Sequence, residues 1–147
     1  MISDTLIKLF TRDLNKLKVE IKRYKNEENL WITKEQISNS AGNLALHLVG
    51  NLNHFIGAEF GETGYIRQRD LEFSSKHIDS EVILNQIDDT IIVIQKSLSG
   101  LSDKELQMEY RRNPFEEFMT AEFFLIHLLT HLSYHLGQIN YHRRLLE

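Results

Sequence analysis

Residues 120–146 read TAEFFLIHLLTHLSYHLGQINYHRRLL, and the rest of the chain is best read outward from them. Apolar residues recur at helical spacing through this stretch, which contains no proline and predicts one long helix from about Thr120 to Leu146. Thr120 is a good N-terminal cap. Glu122 puts an acid in the first turn, and Arg143 and Arg144 put bases in the last, in agreement with the helix dipole. At roughly 100° per residue, positions four apart share a face. His131 and His135 therefore stand one turn apart on one stripe, with His127 a turn earlier and Gln138 and His142 continuing it one and two turns later. Two such imidazoles can converge on one ion at Zn–N distances of about 2.0–2.1 Å.

Three more long helices precede this one. Leu6, Phe10, Leu14, Leu17, Ile21 and Tyr24 form one apolar face of a helix from about Ser3 to Tyr24. A polar connection, residues 25–40, holds Trp31, which is expected to fold back onto the core. Leu44, Leu48, Leu52, Phe55 and Ile56 mark a second helix from about Ala41 to Phe60, fraying at Gly57 and Gly61. Residues 61–73, GETGYIRQRDLEF, read as a long loop able to wall a pocket. Ile83, Ile87, Ile91, Ile94 and Leu98 mark a third helix from Asp79 or Ser80 to about Gly100. Ser102 and Glu105 then spell a capping box for a short helix, and Pro114 ends that excursion. The expected fold is an all-α, antiparallel four-helix bundle forming one domain over residues 1–147. Its connections are long enough to permit crossovers.

Composition excludes several classes. With 17 basic and 21 acidic residues the net charge is -4, which gives no electrostatic footprint for nucleic acid. No apolar run approaches the ~20 residues that span a bilayer, and the N-terminus lacks the apolar core of a signal peptide. Cysteine is absent, so there is no disulfide framework and no thiolate ligand, in keeping with a cytoplasmic location. Seven histidines are present, four of them within residues 127–142.

That density points to a metal. His47 and His54, seven apart on the second helix, are nearly co-facial, and either can supply a third ligand to His131 and His135. Three neutral imidazoles leave a coordination position for water or substrate, as in catalytic rather than structural sites. His127 reads as a buried or ligand-orienting histidine, and Gln138 as a hydrogen-bonding partner at the site. Arg67, Arg69 and Asp70 in the glycine-containing loop are candidates for substrate contact, since arginine suits a carboxylate or phosphate. His77 and His142 are expected at the surface, Tyr134 and Tyr141 in packing roles, and Asp88 and Asp89 in solvent. No His-Glu-x-x-His motif, Glu-x-x-His pair or glycine-rich phosphate loop is present.

Residues 127–146, with His131, His135, Gly137, Gln138, Arg143 and Arg144, resemble the last helix of the DinB/YfiT-like superfamily of metal-dependent bundle proteins. Residues 45–57, ALHLVGNLNHFIG, look like that family's second helix, with His47 matching the third ligand and Phe55 a following aromatic. The resemblance implies a dimeric four-helix bundle whose ligands are His47, His131 and His135, and whose ion is zinc or nickel. It also implies a small-molecule substrate and a low-molecular-weight thiol as reaction partner, in a transferase or hydrolase. Gly137 falls where the family keeps a small residue for close helix packing. Leu132 and Leu136 stand where many relatives carry polar groups. The other reading of the residues is a non-catalytic dimeric helical interaction module, in which the histidines are structural.

Overall fold

A computed structural model describes residues Met1–Glu147. Four long helices, α1 (Ile2–Arg23), α2 (Ala41–Leu52), α4 (Ser80–Leu98) and α6 (Ala121–Leu146), surround the core. Two short helices, α3 (Arg69–Ser74) and α5 (Asp103–Leu106), lie in the connections, with a 3-10 turn at Glu27–Trp31. There is no strand; an isolated bridge between Glu109 and Thr120 pins the loop before α6.

Local chemistry explains the helix starts. Thr120 accepts from the Phe123 N–H, Asp79 from Glu81, and Ser102 with Glu105 closes a full capping box. The α1 stripe from Leu6 to Tyr24 is buried throughout, as its spacing requires. Trp31 is buried against α2, where Gly42 leaves room for the indole; a Cβ there would meet the ring at 2.7 Å.

The helices pack α1 on α4 and α6, and α2 on α4 and α6. The C-terminal ends of α1 and α6 meet, with Glu20 paired to Arg143 at 2.9 Å, so these two run parallel. Along the α2–α4 seam Asn53 donates to Thr90, while Gly57 and Gly61 lie against Val93 and Ser97, so these also run parallel. In chain order the bundle is up, down, down, up. The expected antiparallel relation holds for α1–α4 and α2–α6, and the long connection over residues 59–79 carries the chain back so that α2 and α4 run the same way.

Three expectations are corrected. The second helix does not stay α-helical: residues Asn53–Ala58 form a π-helical segment. There Asn53 Nδ2 donates to the Val49 carbonyl and to Thr90 Oγ1, competing with the regular ladder. The loop over residues 61–73 ends in α3. His142 is not at the surface. It is buried at the α1–α6 junction, where Nε2–H donates to the Ile32 carbonyl at 2.8 Å and Nδ1 accepts from Tyr24 Oη at 2.6 Å. His77 is exposed beside Glu28.

This junction gives a stability test. Tyr24→Phe leaves His142 Nδ1 buried without a donor, which costs about 1–3 kcal/mol. A urea melt of the variant should show that loss, and an unchanged midpoint would mean that the hydroxyl contributes nothing.

Candidate metal centre

The antiparallel α2–α6 seam brings His47, His131 and His135 together through the same ring atom. His131 Nε2 lies 3.2 Å from His47 Nε2 and 3.0 Å from His135 Nε2, and one atom from each ring falls within 4.8 Å of the others. Two nitrogens held at about 2.0–2.1 Å from a tetrahedral ion stand about 3.3 Å apart, so the spacing fits a divalent cation. His47 is buried, and His131 and His135 are half-buried.

Hydrogen bonds fix two of the rings. His47 Nδ1–H donates to Glu72 Oε1 at 3.0 Å, and His135 Nδ1–H donates to Gln138 Oε1 at 2.7 Å. Each bond sets the tautomer, leaving the Nε2 lone pair free for a cation. Glu72 is held in turn by Arg67, whose Nε and Nη2 fork onto both carboxylate oxygens at 2.9 Å. Burial pushes the Glu72 carboxyl up, but the hydrogen bonds from His47 and Arg67 and the Arg67 charge outweigh it and hold it below the usual carboxylate range. A Cβ at Gly50 would sit 1.9 Å from Glu72 Oε2, so the carboxylate rests directly on the α2 backbone. Phe73 packs on the His47 ring at 4.9 Å.

Electrostatics favour the neutral ligand form. Burial, with smaller contributions from His135, His47, His127 and Arg67, lowers the His131 pKa to about 4. Burial also lowers His135, opposed by its bond to Gln138.

The remaining candidates are not part of the three-histidine group. His54 lies on the π-helical segment, edge-on to Phe55, and its pKa is lowered by burial and by Arg112 and Arg67. His127 packs between Phe115 and Phe124. Arg69 lies over the Phe73 ring, and Asp70 is exposed in the first turn of α3. Arg67 is engaged by Glu72, with its guanidinium also over Phe55. Tyr134 and Tyr141 are exposed rather than packed. Gly137 packs on nothing within the chain; a Cβ there meets no atom within 4 Å. Asp88 pairs with Lys18 across the α1–α4 seam.

Sequence reasoning missed Glu72. Its signal is indirect: a glycine at position 50, inside a helix and three residues after His47, costs about 0.5–1 kcal/mol relative to alanine. Such a residue marks a close approach, and the approaching group is this carboxylate.

The fold and the site thus define an all-α helical bundle with a three-histidine group able to hold a metal ion. The chain belongs to DUF1572, a family of proteins of unknown function whose model matches residues 4–147. Comparison with curated proteins and with solved structures finds no match.

Two tests follow from the geometry. Gly50→Ala displaces the Glu72 carboxylate and should cost about 1–3 kcal/mol by overpacking, whereas Gly137→Ala should be stabilising by up to about 1 kcal/mol. Denaturant melts that rank the two the other way would refute the cradle. The second test is pH. His131 titrates near 6.5 when unfolded and at about 4 when folded, so the unfolded chain binds more protons between these values. Metal-free protein should hold its full stability above pH 6.5 and lose it progressively toward pH 4, less steeply in His131→Ala. A melting temperature that is flat through this window in both proteins would contradict the assignment.

Proposed function

We propose that the chain is a metal-dependent protein whose ligands are His47, His131 and His135, each through Nε2. The observation that carries this reading is the meeting of three Nε2 atoms whose neighbouring rings are already fixed as Nδ1–H tautomers by Glu72 and Gln138. Donor chemistry supports zinc or nickel, since imidazole suits both. A divalent ion held by three neutral imidazoles supplies Lewis acidity to a water or substrate group at a remaining position.

The chain's own residues have separable tasks. Glu72 and Gln138 orient two ligand rings. Arg67 neutralises the Glu72 charge, so the centre as a whole stays close to the charge of its ion. Phe55, Phe115 and Phe124 form an apolar wall toward the N-terminal end of α6. The DinB/YfiT-like resemblance favours a transferase or hydrolase acting on a small molecule, with a low-molecular-weight thiol as second substrate. It also favours a single-domain chain that dimerises.

A specific observation favours a second reading, a helical interaction module. Phe123, Ile126, Tyr134, Tyr141 and Leu145 are exposed along α6, forming an apolar stripe with Gly137 open between them.

Metal analysis separates the two. Untagged protein should bind one zinc or nickel ion per chain, and at a hundredfold excess over Kd the ion should add about 2.7 kcal/mol of stability. The double variant His131→Ala/His135→Ala should lose both effects. A melt that ignores chelator and added ion, with no metal retained, would leave only the interaction reading.

A further inference from the structure

Four buried side-chain atoms lack a hydrogen-bond partner: Thr11 Oγ1, Ser97 Oγ, Asn51 Oδ1 and His131 Nδ1. The first two belong to α1 and α4, away from the histidines. The other two lie on facing helices. His131 is the one histidine of the three without an acceptor for its second ring nitrogen, since Glu72 serves His47 and Gln138 serves His135.

Helix geometry puts Asn51 in the same seam. At roughly 100° per residue, Asn43 and Gly50 lie on one side of His47, and both meet α3 through Glu72. Leu44 lies on the other side and shares a cavity of about 400 Å³ with His135, Gln138 and His142 of α6. Asn51, four residues after His47, falls in that second sector, facing α6. Register agrees. His47 meets His131 and Phe55 meets Phe124, so residue numbers rise on α2 as they fall on α6. Asn51 is thereby level with the turn between Phe124 and His131. Helical side chains lean toward the N-terminus of their own helix. In an antiparallel pair, Asn51 therefore leans up toward the His131 ring while His131 leans down toward Asn51.

We infer that Asn51 is the positioning residue for His131. With Nε2 on the ion, the neutral ring carries its proton on Nδ1, and that N–H needs an acceptor. Asn51 Oδ1 is a buried acceptor without a donor. One water, or a small rotation of the Asn51 amide, closes the link. Each of the three ligands then has its own acceptor: Glu72 for His47, Asn51 for His131 and Gln138 for His135. This inference rests on the metal-centre reading and adds a residue to it. Asn51 touches no reacting atom; it acts through His131.

The test uses the full chain with zinc alone as probe. Zinc Kd is measured by competition with a chromophoric chelator for wild type, Asn51→Leu and Asn51→Asp. Metal-free melting curves and imidazole 15N spectra are recorded for each. The leucine variant should bind zinc 10–100-fold more weakly, as expected for loss of a ligand-orienting partner. Its metal-free form should melt no lower than wild type, because a buried unpartnered acceptor has been removed. The aspartate variant keeps the acceptor and should recover most of the affinity. In zinc-loaded wild type the His131 Nδ1–H should be slow to exchange, and in the leucine variant fast. Equal zinc affinity in wild type and Asn51→Leu would overturn the role of Asn51 while leaving the metal centre standing. Absence of zinc binding in wild type would overturn both.

Discussion

The His131 Nε2 facing the Nε2 atoms of His47 and His135, at 3.2 and 3.0 Å, is the constraint on which the α2–α6 seam depends. Lone pairs at that spacing repel unless a proton or a cation lies between them. Protonation is opposed by burial, which lowers His131 to about 4. Two of the rings are held in place all the same, because their other ends are tied to side chains of α3 and α6. His47 is fixed from α3 and His135 from its own helix, and both helices bury leucines in the core, Leu48 from α2 and Leu128 and Leu132 from α6. The cost of gathering the nitrogens is thus met by packing and hydrogen bonds that form whether or not an ion is bound, which is what a preorganised site requires.

Glu72 is the keystone of that arrangement. A buried carboxylate is expensive to desolvate, and a buried ion pair stabilises only when its geometry is good and its remaining lone pairs are satisfied. Both conditions are met here: the Arg67 fork takes both oxygens, and His47 adds a third bond. The short α3 exists to deliver this group. Asn43 accepts that role from the other side, donating to the Glu72 and Ser75 carbonyls and tying α3 to the first turn of α2. The loop before α3 is therefore anchored at Arg67, while Tyr65 and Ile66 beside it remain exposed.

The sequence carries most of this fold in its periodicity. The four long helices, the capping residues Thr120 and Ser102, and the burial of Trp31 follow from apolar spacing and cap chemistry. What periodicity does not carry is direction. An amphipathic stripe says that a helix is buried on one face, not which neighbour covers it, and so the parallel pairing of α2 with α4 stays hidden. The π-helical segment is hidden for a related reason: it arises from a tertiary contact, Asn53 to Thr90, 37 residues apart. Glu72 lies in a stretch without helical or strand pattern long enough to read, and its partner glycine is visible only as an anomaly.

The histidines show most sharply where such reading ends. His131, His135 and His142 share one helix and one residue type, yet they meet different chemistry. His142 has a donor in Tyr24 and an acceptor in the Ile32 carbonyl, so both its nitrogens are satisfied by the chain and nothing is left to bind an ion. His135 has an acceptor for Nδ1 only, from Gln138, and its Nε2 faces other imidazoles. The difference between a core histidine and a candidate ligand is therefore not burial, since His142 is the more buried of the two. It lies in whether one nitrogen is left facing further lone pairs. That property belongs to the partners: Tyr24 and Ile32, both distant in sequence, close off His142, whereas Gln138 of the same helix takes only one nitrogen of His135. A stripe of histidines on one helix can mark only where to look, and the neighbouring helices decide which rings are free to act.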